Sequence, residues 1–255
     1  MLIIVLIIII ILVALFYYKY KPSLPLLKDI SIKNGFNFVF LDGLRTKYIN
    51  IKELRDRSNT FRELYKLVDN DNNSRIWFCR KENGIKTNEI LRETLHADMI
   101  DFIQMYDTGK PFIAVGFSWG GVMAKYWKKY MKNCIHAFSL DSPYVEEIVK
   151  LIIEQHYNIK NYEFKDDGKM YYVNGKPAID YGVANEIISL REPVSNYTHI
   201  YWRPNGSYNI DVKKVPHKEC DDSYCIYYGK ERIHDLMKYK EIAKIVYDII
   251  KHRLH

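Results

Sequence analysis

The chain has 255 residues, of which 48% are hydrophobic and 27% charged, and that is enough for one large domain with a substantial core. Its 12 glycines and 8 prolines are too few for a fibrous or largely disordered protein. The net charge of +7 comes from scattered basic residues, and no nucleic-acid-binding motif occurs, so we predict no nucleic-acid partner.

The first segment of the chain has the composition of a membrane anchor. Residues 1–18 are dominated by Leu, Ile and Val and carry no charge, which is close to the length that crosses a bilayer core as a helix. No basic residue precedes the apolar run, and the aromatic residues after it make a poor signal-peptidase site. We therefore predict an uncleaved transmembrane helix over 1–18, followed by a linker over 19–35.

The charges that flank this segment predict its orientation. Lys19, Lys21, Lys28 and Lys33 all follow the apolar run, so the positive-inside rule places the remainder of the protein in the cytosol. Three glycosylation sequons favour the opposite side, but sequons arise often by chance in a chain this rich in asparagine. The prediction is a single-pass membrane protein with a cytosolic domain over 36–255.

Strand and helix patterns alternate through the first part of this domain. Apolar runs predict strands, and apolar residues at a period near 3.6 predict helices. The predicted elements, in chain order, are a strand over 36–41, a helix over 60–68, a strand over 75–80, a helix over 88–106, a strand over 112–115, a helix over 122–131 and a strand over 134–140.

The sharpest motif lies between the third of these strands and its helix. The sequence there reads Gly116-Phe117-Ser118-Trp119-Gly120, a G-x-S-x-G motif in the strand–turn–helix context that gives it meaning. The chain must reverse within a few residues, and Gly116 and Gly120 lack the Cβ atoms that would clash in such a turn. This arrangement predicts that Ser118 is a nucleophile, held at the carboxyl edge of a sheet beside a helix N-terminus.

The pattern changes over residues 143–195, which we predict to be a cap inserted over the site. A helix is predicted at 145–157, and Asp166-Asp167-Gly168 and Asn174-Gly175 predict turns of a hairpin over 162–181. Strands at 197–202 and 224–228 and a final helix at 236–254 follow. Strands that alternate with helices on both sides of the insertion predict an α/β fold with a mostly parallel sheet covered by helices on both faces.

The order of these elements resembles the α/β-hydrolase superfamily. The resemblance is carried by Phe38–Leu44, by the elbow Gly116–Gly121, and by Gly229–His234 before the last helix. It implies a serine hydrolase in which an imidazole activates the serine and a carboxylate holds the imidazole, in the chain order Ser, acid, His. His234 is the predicted base, with His217 as the second choice.

The acid is the least determined member of this set. The superfamily places a carboxylate after the strand at 197–202, which selects Asp211. Asp221 and Asp222 are alternatives nearer the last strand. Asp141 is another alternative, because it ends the strand at 134–140 and some lipase-like enzymes take the acid from that place.

The same resemblance implies an oxyanion hole made of two backbone N–H groups. One belongs to Trp119, directly after the nucleophile. The other belongs to Leu44, with Arg45 beside it, in the loop after the first strand. This loop departs from the family pattern, because Asp42-Gly43 stands where His-Gly is usual.

Four cysteines occur in the chain. We expect Cys79 and Cys134 to be small buried hydrophobic residues. Cys220 and Cys225 are the only close pair, and their spacing leaves a disulfide open. No second ligand pair at zinc-binding spacing accompanies them, so we predict no metal and no cofactor.

The combined prediction is a membrane-anchored serine hydrolase that cleaves an ester or thioester, with a small acyl ester or a lipid as substrate. Several aromatic residues would line an acyl-binding groove: Trp119, Tyr144, Tyr171, Tyr172 and Trp202. A catalytically inactive interaction protein on the same scaffold, or an acyltransferase, is the alternative.

Overall fold

The structure is a computed structural model. It describes residues 37–41, 43, 59–69, 74–77, 99–100, 102–104, 109–144, 147, 162–165, 170–173, 176–177, 190, 192–234 and 238–254. The predicted membrane segment 1–18 and linker 19–35 lie outside these residues. In the part of the chain that is described, no helix is long and apolar enough to cross a membrane.

The described elements mostly alternate between strands and helices before a small group of short strands, and three consecutive strands and a final helix follow that group. In chain order they are β1 (Asn37–Leu41), α1 (Asn59–Asp69), β2 (Ser74–Trp77), β3 (Phe112–Phe117), α2 (Trp119–Tyr130), β4 (Cys134–Leu140), β5 (Tyr162–Lys165), β6 (Met170–Val173), β7 (Lys176–Pro177), β8 (Val194–Arg203), β9 (Ser207–Lys214), β10 (Cys220–Gly229) and α3 (Lys240–Leu254).

Seven of the described strands form one sheet in the order β2-β1-β3-β4-β8-β10-β9. Every neighbouring pair is parallel except β10 and β9. β1 and β3 are buried along their whole length, as expected of central strands with helices on both faces. The prediction of a mostly parallel α/β sheet is confirmed.

Helices cover both faces of this sheet. α1 and α3 pack over one face through Leu64, Val68, Val246 and Ile250, against strand residues such as Ile200. α2 packs over the other face, where Phe102 and Phe112 contact the ring of Trp127 at centroid distances of 4.5 and 6.3 Å. The first interface is almost wholly apolar, and area burial of this kind supplies most of the folding free energy.

The α2 face also contains a buried ion pair. Lys125 of α2 is 2% exposed, and its Nζ lies 3.0 Å from Oε2 of Glu219, in the turn before β10. The ammonium also lies over the ring of Tyr197, 5.3 Å from its centroid. Burial is the main influence on Lys125 and lowers its pKa, while Glu219 opposes that effect. The pair links α2 to the turn before β10.

Strand β9 was missed by the sequence patterns. It runs antiparallel to β10 at the edge of the sheet, with Val212 paired to Ile226 and Asp211 to Tyr227. Its apolar residues alternate with charged ones, and most of its side chains are exposed. The overlooked signal was the turn at Asn205-Gly206, followed by alternation of Tyr208, Ile210 and Val212.

The predicted hairpin region contains a second, antiparallel sheet of β5, β6 and β7. The two predicted turns, Asp166-Asp167-Gly168 and Asn174-Gly175, fall between consecutive strands of this sheet. The backbone of Tyr171 and Tyr172 lies in β6.

The cysteines need one correction. Cys134, Cys220 and Cys225 are free and buried, so the disulfide left open between Cys220 and Cys225 does not form. Both residues lie in β10, where five residues of extended strand separate them by about 16 Å. A disulfide joins Cα atoms less than about 7 Å apart, so strand geometry excludes it. Cys79 lies outside the described residues.

Candidate active site

Ser118 stands on a sharp turn between β3 and α2. Its backbone has φ 54° and ψ −122°, a conformation that residues with a side chain rarely adopt. The turn is held on both sides, because Ser118 N donates to Leu140 O at 3.0 Å and Gly121 N donates to Ser118 O at 3.0 Å. The strained turn presents the hydroxyl at the carboxyl edge of the sheet, as the G-x-S-x-G pattern predicted.

The small residues around the serine are required by close backbone approach. A Cβ on Gly116 would lie 2.0 Å from the carbonyl oxygen of Gly120, which no shift of a side chain could relieve. A Cβ on Gly121 would lie 1.7 Å from Oγ of Ser142, at the end of the neighbouring strand. β3, α2 and the end of β4 therefore meet at distances that only glycine allows.

A continuous line of hydrogen bonds joins the serine to a buried carboxylate. His234 Nε2 lies 2.9 Å from Ser118 Oγ, and His234 Nδ1 lies 2.8 Å from Asp141 Oδ2. Asp141 is 2% exposed, whereas the side chain of His234 is 54% exposed. A neutral imidazole with Nδ1–H donating to the carboxylate leaves Nε2 free to accept the serine proton.

The carboxylate in this line is Asp141, and the prediction of Asp211 is corrected. Asp211 lies within the exposed edge strand β9 and pairs with Lys213 at 3.2 Å, with 51% of its side chain exposed. Asp141 follows β4 directly, at φ 47°, with its N–H donating to Ile200 O at 2.7 Å. β3 and β4 are parallel neighbours, so the residues that end them lie side by side.

The other two candidate acids have partners elsewhere. Asp221 Oδ2 accepts from the backbone N–H of Asn196 at 2.5 Å. Asp222 is 2% exposed, and its carboxylate pairs with Lys214 of β9 at 2.8 Å and with Arg253 of α3. These contacts tie β8, β9 and α3 to β10, so both carboxylates have structural roles.

Two residues next to the histidine were not predicted. The ring of Phe117 lies 4.9 Å from that of His234 at an angle of 33°, and it supports one face of the imidazole. Arg232 Nη2 lies 3.6 Å from Asp141 Oδ1, the carboxylate oxygen that His234 does not use. A sequence pattern could not have indicated either contact, because Phe117 is distant along the chain from His234, and Arg232 is distant from Asp141.

The comparisons with known proteins rest on structure. No protein-family model matches the chain, and no curated protein matches it. Est1E from Butyrivibrio proteoclasticus matches over 89% of this chain and 91% of its own, with a TM-score of 0.51 at 9% identity. Mouse alpha/beta hydrolase domain-containing protein 10 matches over 88% and 91%, with a TM-score of 0.47 at 12% identity.

The first of these matches spans nearly all of both chains, and the mostly parallel sheet with helices on both faces is the one that the sequence resemblance implied. The chain has the α/β-hydrolase fold. In this fold the serine turn, the strand ends and the histidine loop lie at one edge of the sheet, as they do here.

Of the two predicted oxyanion-hole donors, only Trp119 lies within the described residues. Trp119 is the first residue of α2, and amides of a first helical turn have no partner within the helix. Leu44 and Arg45 lie outside the described residues, as does Asp42. Gly43 is described, and a Cβ on it would lie 3.0 Å from Cβ of Ser118, so the loop after β1 passes directly beside the serine.

The second choice for the base, His217, belongs to a different cluster. Its ring stacks on Tyr144 with centroids 4.3 Å apart, and its Nδ1 accepts from the N–H of Glu219 at 3.1 Å. The ring of His199 lies 5.2 Å from Tyr144, and its Nδ1 lies 3.1 Å from Ser139 Oγ. Burial, with help from His217, lowers the pKa of His199 to about 3, so this imidazole stays neutral.

The aromatic residues expected to line an acyl groove divide into different environments. Trp119 and Trp202 are each 2% exposed and belong to the packed interior, and Tyr144 joins the histidine cluster. The side chains of Tyr171 and Tyr172 lie outside what is described. Across the described residues, no group of three His, Cys, Asp or Glu side chains could hold a metal ion.

Proposed function

We propose that this protein is a serine hydrolase that cleaves a carboxylic ester or thioester through Ser118, His234 and Asp141. One observation supports the proposal above all others. A serine in a strained turn lies 2.9 Å from an imidazole whose other nitrogen lies 2.8 Å from a buried carboxylate. A serine hydroxyl is a weak nucleophile until a base in hydrogen-bond contact removes its proton.

The proposed reaction has two halves. In the first, Ser118 Oγ bonds to the acyl carbon while His234 Nε2 takes its proton. The imidazolium then protonates the leaving alcohol or thiol as its bond to the acyl carbon breaks. In the second half, His234 removes a proton from water, the hydroxide bonds to the acyl carbon, and Ser118 regains its proton as the acid departs.

Asp141 and the backbone amides complete this proposal. Asp141 accepts from Nδ1–H, keeps the imidazole in the tautomer that can accept at Nε2, and stabilises the imidazolium. The N–H of Trp119, together with that of Leu44, is proposed to donate to the oxyanion of the tetrahedral intermediate. One such donor is worth about 10²–10³ in rate.

We further propose that the substrate is lipid-like and that residues 1–18 hold the domain at a membrane. The support is the uncharged apolar run at the start of the chain, followed by basic residues. Hydrolysis measured on p-nitrophenyl esters of increasing acyl length tests this extension: we expect kcat/KM to rise from acetyl to medium-chain esters. A steady decline with acyl length would contradict it.

A fluorophosphonate probe tests the central proposal. The probe phosphonylates only a serine that is already activated, so we expect labelling of the wild-type chain and at least a 100-fold loss in Ser118→Ala and His234→Ala. Ser207→Ala is the matched control, because Ser207 begins the edge strand β9, and it should label like the wild type.

An unlabelled wild-type chain between pH 6 and 9, with the fold intact by circular dichroism, would contradict the proposal and favour an interaction protein on a hydrolase scaffold. An acyltransferase would also be labelled by the probe. It would be identified if an ester substrate gave no free acid and its acyl group passed instead to an added alcohol. Both outcomes concern the chemistry of Ser118. They leave the assignment of the fold unchanged, because the probe does not test the fold.

A further inference from the structure

A row of apolar side chains crosses the exposed edge strand of the sheet. Tyr208, Ile210 and Val212 alternate along β9 and share one face, because Val212 pairs with the core residue Ile226. Ile210 packs against the core, while Tyr208 is 66% exposed and Val212 is 39% exposed. The apolar surface that α3 covers therefore extends beyond the helix onto the edge strand, where Tyr208 and Val212 are exposed to solvent.

Tyrosines extend this surface toward the active site. Tyr208 makes an edge-on contact with Tyr228 at 5.8 Å, and Tyr228 makes one with Tyr239 at 5.3 Å. We call Tyr208, Tyr228 and Tyr239 the tyrosine ridge. Tyr228 precedes the last residue of β10 and Tyr239 precedes α3, so in the sequence they flank the segment that carries His234. Both are half-buried against the core, and Tyr208 is the exposed member of the ridge.

Backbone hydrogen bonds hold the ridge at the carboxyl end of β10, and Ser118 also lies at the carboxyl ends of the parallel strands. Gly229 O accepts from the N–H groups of Asn205 and Gly206, at 3.1 and 3.0 Å, which holds the start of β9 against the end of β10. His234, five residues beyond Gly229 in the sequence, reaches Ser118. A flat surface that contacts the ridge would therefore lie at the carboxyl ends of the parallel strands, where Ser118 and His234 also lie.

The charges around the ridge are mainly positive. Among the described residues between the end of β10 and the first turn of α3, four exposed side chains are basic and two are acidic. The basic ones are Lys230, Arg232, Lys238 and Lys240, of which Arg232 also pairs with Asp141, and the acidic ones are Glu231 and Glu241. Lys238 Nζ lies 5.9 Å from the centroid of the Tyr239 ring, so cation and aromatic surface are presented together.

We propose that the tyrosine ridge docks on the surface of a bilayer that contains anionic lipid. Tyrosine favours the headgroup region, because its ring is apolar and its hydroxyl remains hydrated there. Basic side chains near an anionic leaflet contribute about 1 kcal/mol each. Protein–protein interfaces are also rich in tyrosine, but they are depleted in lysine, and three of the four basic side chains beside the ridge are lysines. The ridge would add a second membrane contact to the anchor proposed at residues 1–18; this inference rests on that proposed anchor and does not depend on hydrolysis.

Site-directed spin labelling of the full chain in vesicles tests the proposal. A nitroxide is attached at Tyr208→Cys and, as control, at Tyr130→Cys. Tyr130 is 44% exposed, and Lys129 Nζ lies 5.9 Å from the centroid of its ring. It is the last residue of α2 and lies toward the amino ends of the parallel strands. The signal of the unsubstituted chain, which carries the native cysteines, is subtracted.

In vesicles with a third of anionic phosphatidylglycerol, we expect the label at 208 to be at least threefold more accessible to lipid-soluble oxygen, relative to an aqueous nickel complex, than the label at 130. Ser118→Ala should leave this ratio unchanged, so failure of the proposed chemistry would not affect the result. Equal ratios at the two positions would overturn the proposal. Protection of position 208 from both reagents would also overturn it, because a protein surface would then cover the ridge.

The charge requirement has its own control. Lys230→Glu combined with Lys238→Glu should abolish the difference between the two labels. Lys110→Glu combined with Lys132→Glu makes the same change in net charge at two exposed positions toward the amino ends of the parallel strands, and it should have no effect. Equal effects from the two pairs would show attraction by net charge alone and would contradict docking through the ridge.

Discussion

The carboxylate that holds His234 is determined by which strands are neighbours. Asp141 ends β4, and β4 pairs with β3, which ends at the serine turn. Its N–H is fixed by Ile200 O of β8, so the left-handed backbone at Asp141 is supported from the other neighbour as well. Aspartate is among the residues that tolerate this conformation. Asp141 therefore both adopts the backbone conformation of the turn and accepts the hydrogen bond from the imidazole.

Asp141→Asn is expected to lower kcat about 10³–10⁴-fold, because an asparagine in this place would favour the imidazole tautomer that cannot accept the serine proton. Hydrolysis of a p-nitrophenyl ester measures the effect. Asp211→Asn, in the exposed edge strand, should change kcat less than twofold. A large loss from Asp211→Asn with normal activity in Asp141→Asn would reverse the assignment made here.

At the scale of single elements, the positions of Ser118 and His234 were predictable because their signals are local. Gly116, Ser118 and Gly120 are consecutive in one strand–turn–helix pattern, and His234 follows a strand and precedes the last helix. The acid was not predictable in this way, since several carboxylates follow strands and only the pairing of β3, β4 and β8 selects one. The prediction of Asp211 also depended on missing β9, because it places Asp211 after the strand at 197–202, whereas Asp211 lies within the edge strand.

Gly116→Ala tests how closely β3 and α2 approach each other. A Cβ 2.0 Å from Gly120 O must push two backbones apart, so we expect a loss of about 3 kcal/mol or more in the free energy of unfolding. Gly109→Ala is the control, since Gly109 has φ 71° with nothing within 4 Å of its Cβ position. It should cost only about 1 kcal/mol, from backbone conformation alone. Urea titration monitored by circular dichroism measures both, and equal losses would contradict the steric explanation.

The ion pair between α2 and the turn before β10 makes a separate prediction. Lys125→Met leaves the Glu219 carboxylate buried without its partner, and breaking such a pair costs about 3–5 kcal/mol. Adding Glu219→Leu should restore most of the lost stability, because both buried charges are then gone. A double-mutant cycle by urea unfolding measures the coupling, and additive losses from the two substitutions would show that the pair is not coupled.

For the whole molecule, buried histidines link stability to pH. Burial lowers the pKa of His136 to about 4 and that of His199 to about 3, against about 6.5 in an unfolded chain. Below pH 6.5 the unfolded chain therefore binds protons that the folded one excludes. Their contribution to stability is complete above pH 6.5 and is lost as the pH falls toward 3.

His199→Phe should make the free energy of unfolding less dependent on pH. Each such histidine accounts for a loss of about 1.4 kcal/mol per pH unit between pH 6 and its folded pKa. Unfolding midpoints at pH 7.5 and 5.0 give the slope, which is independent of any loss that the substitution causes at both pH values. His252→Gln, at an exposed position near the end of α3, should keep the wild-type slope. An unchanged slope in His199→Phe would contradict the assigned role.

The positions of Ser118 and Asp141 at the ends of adjacent strands also bear on how such a protein can diversify. The proposed nucleophile and acid are both in place by residue 141, and the proposed base, His234, follows β10. The intervening stretch from 142 to 193 supplies no member of this trio. That stretch could therefore change in length or sequence, and so alter specificity, without changing any of the three groups in the proposed reaction.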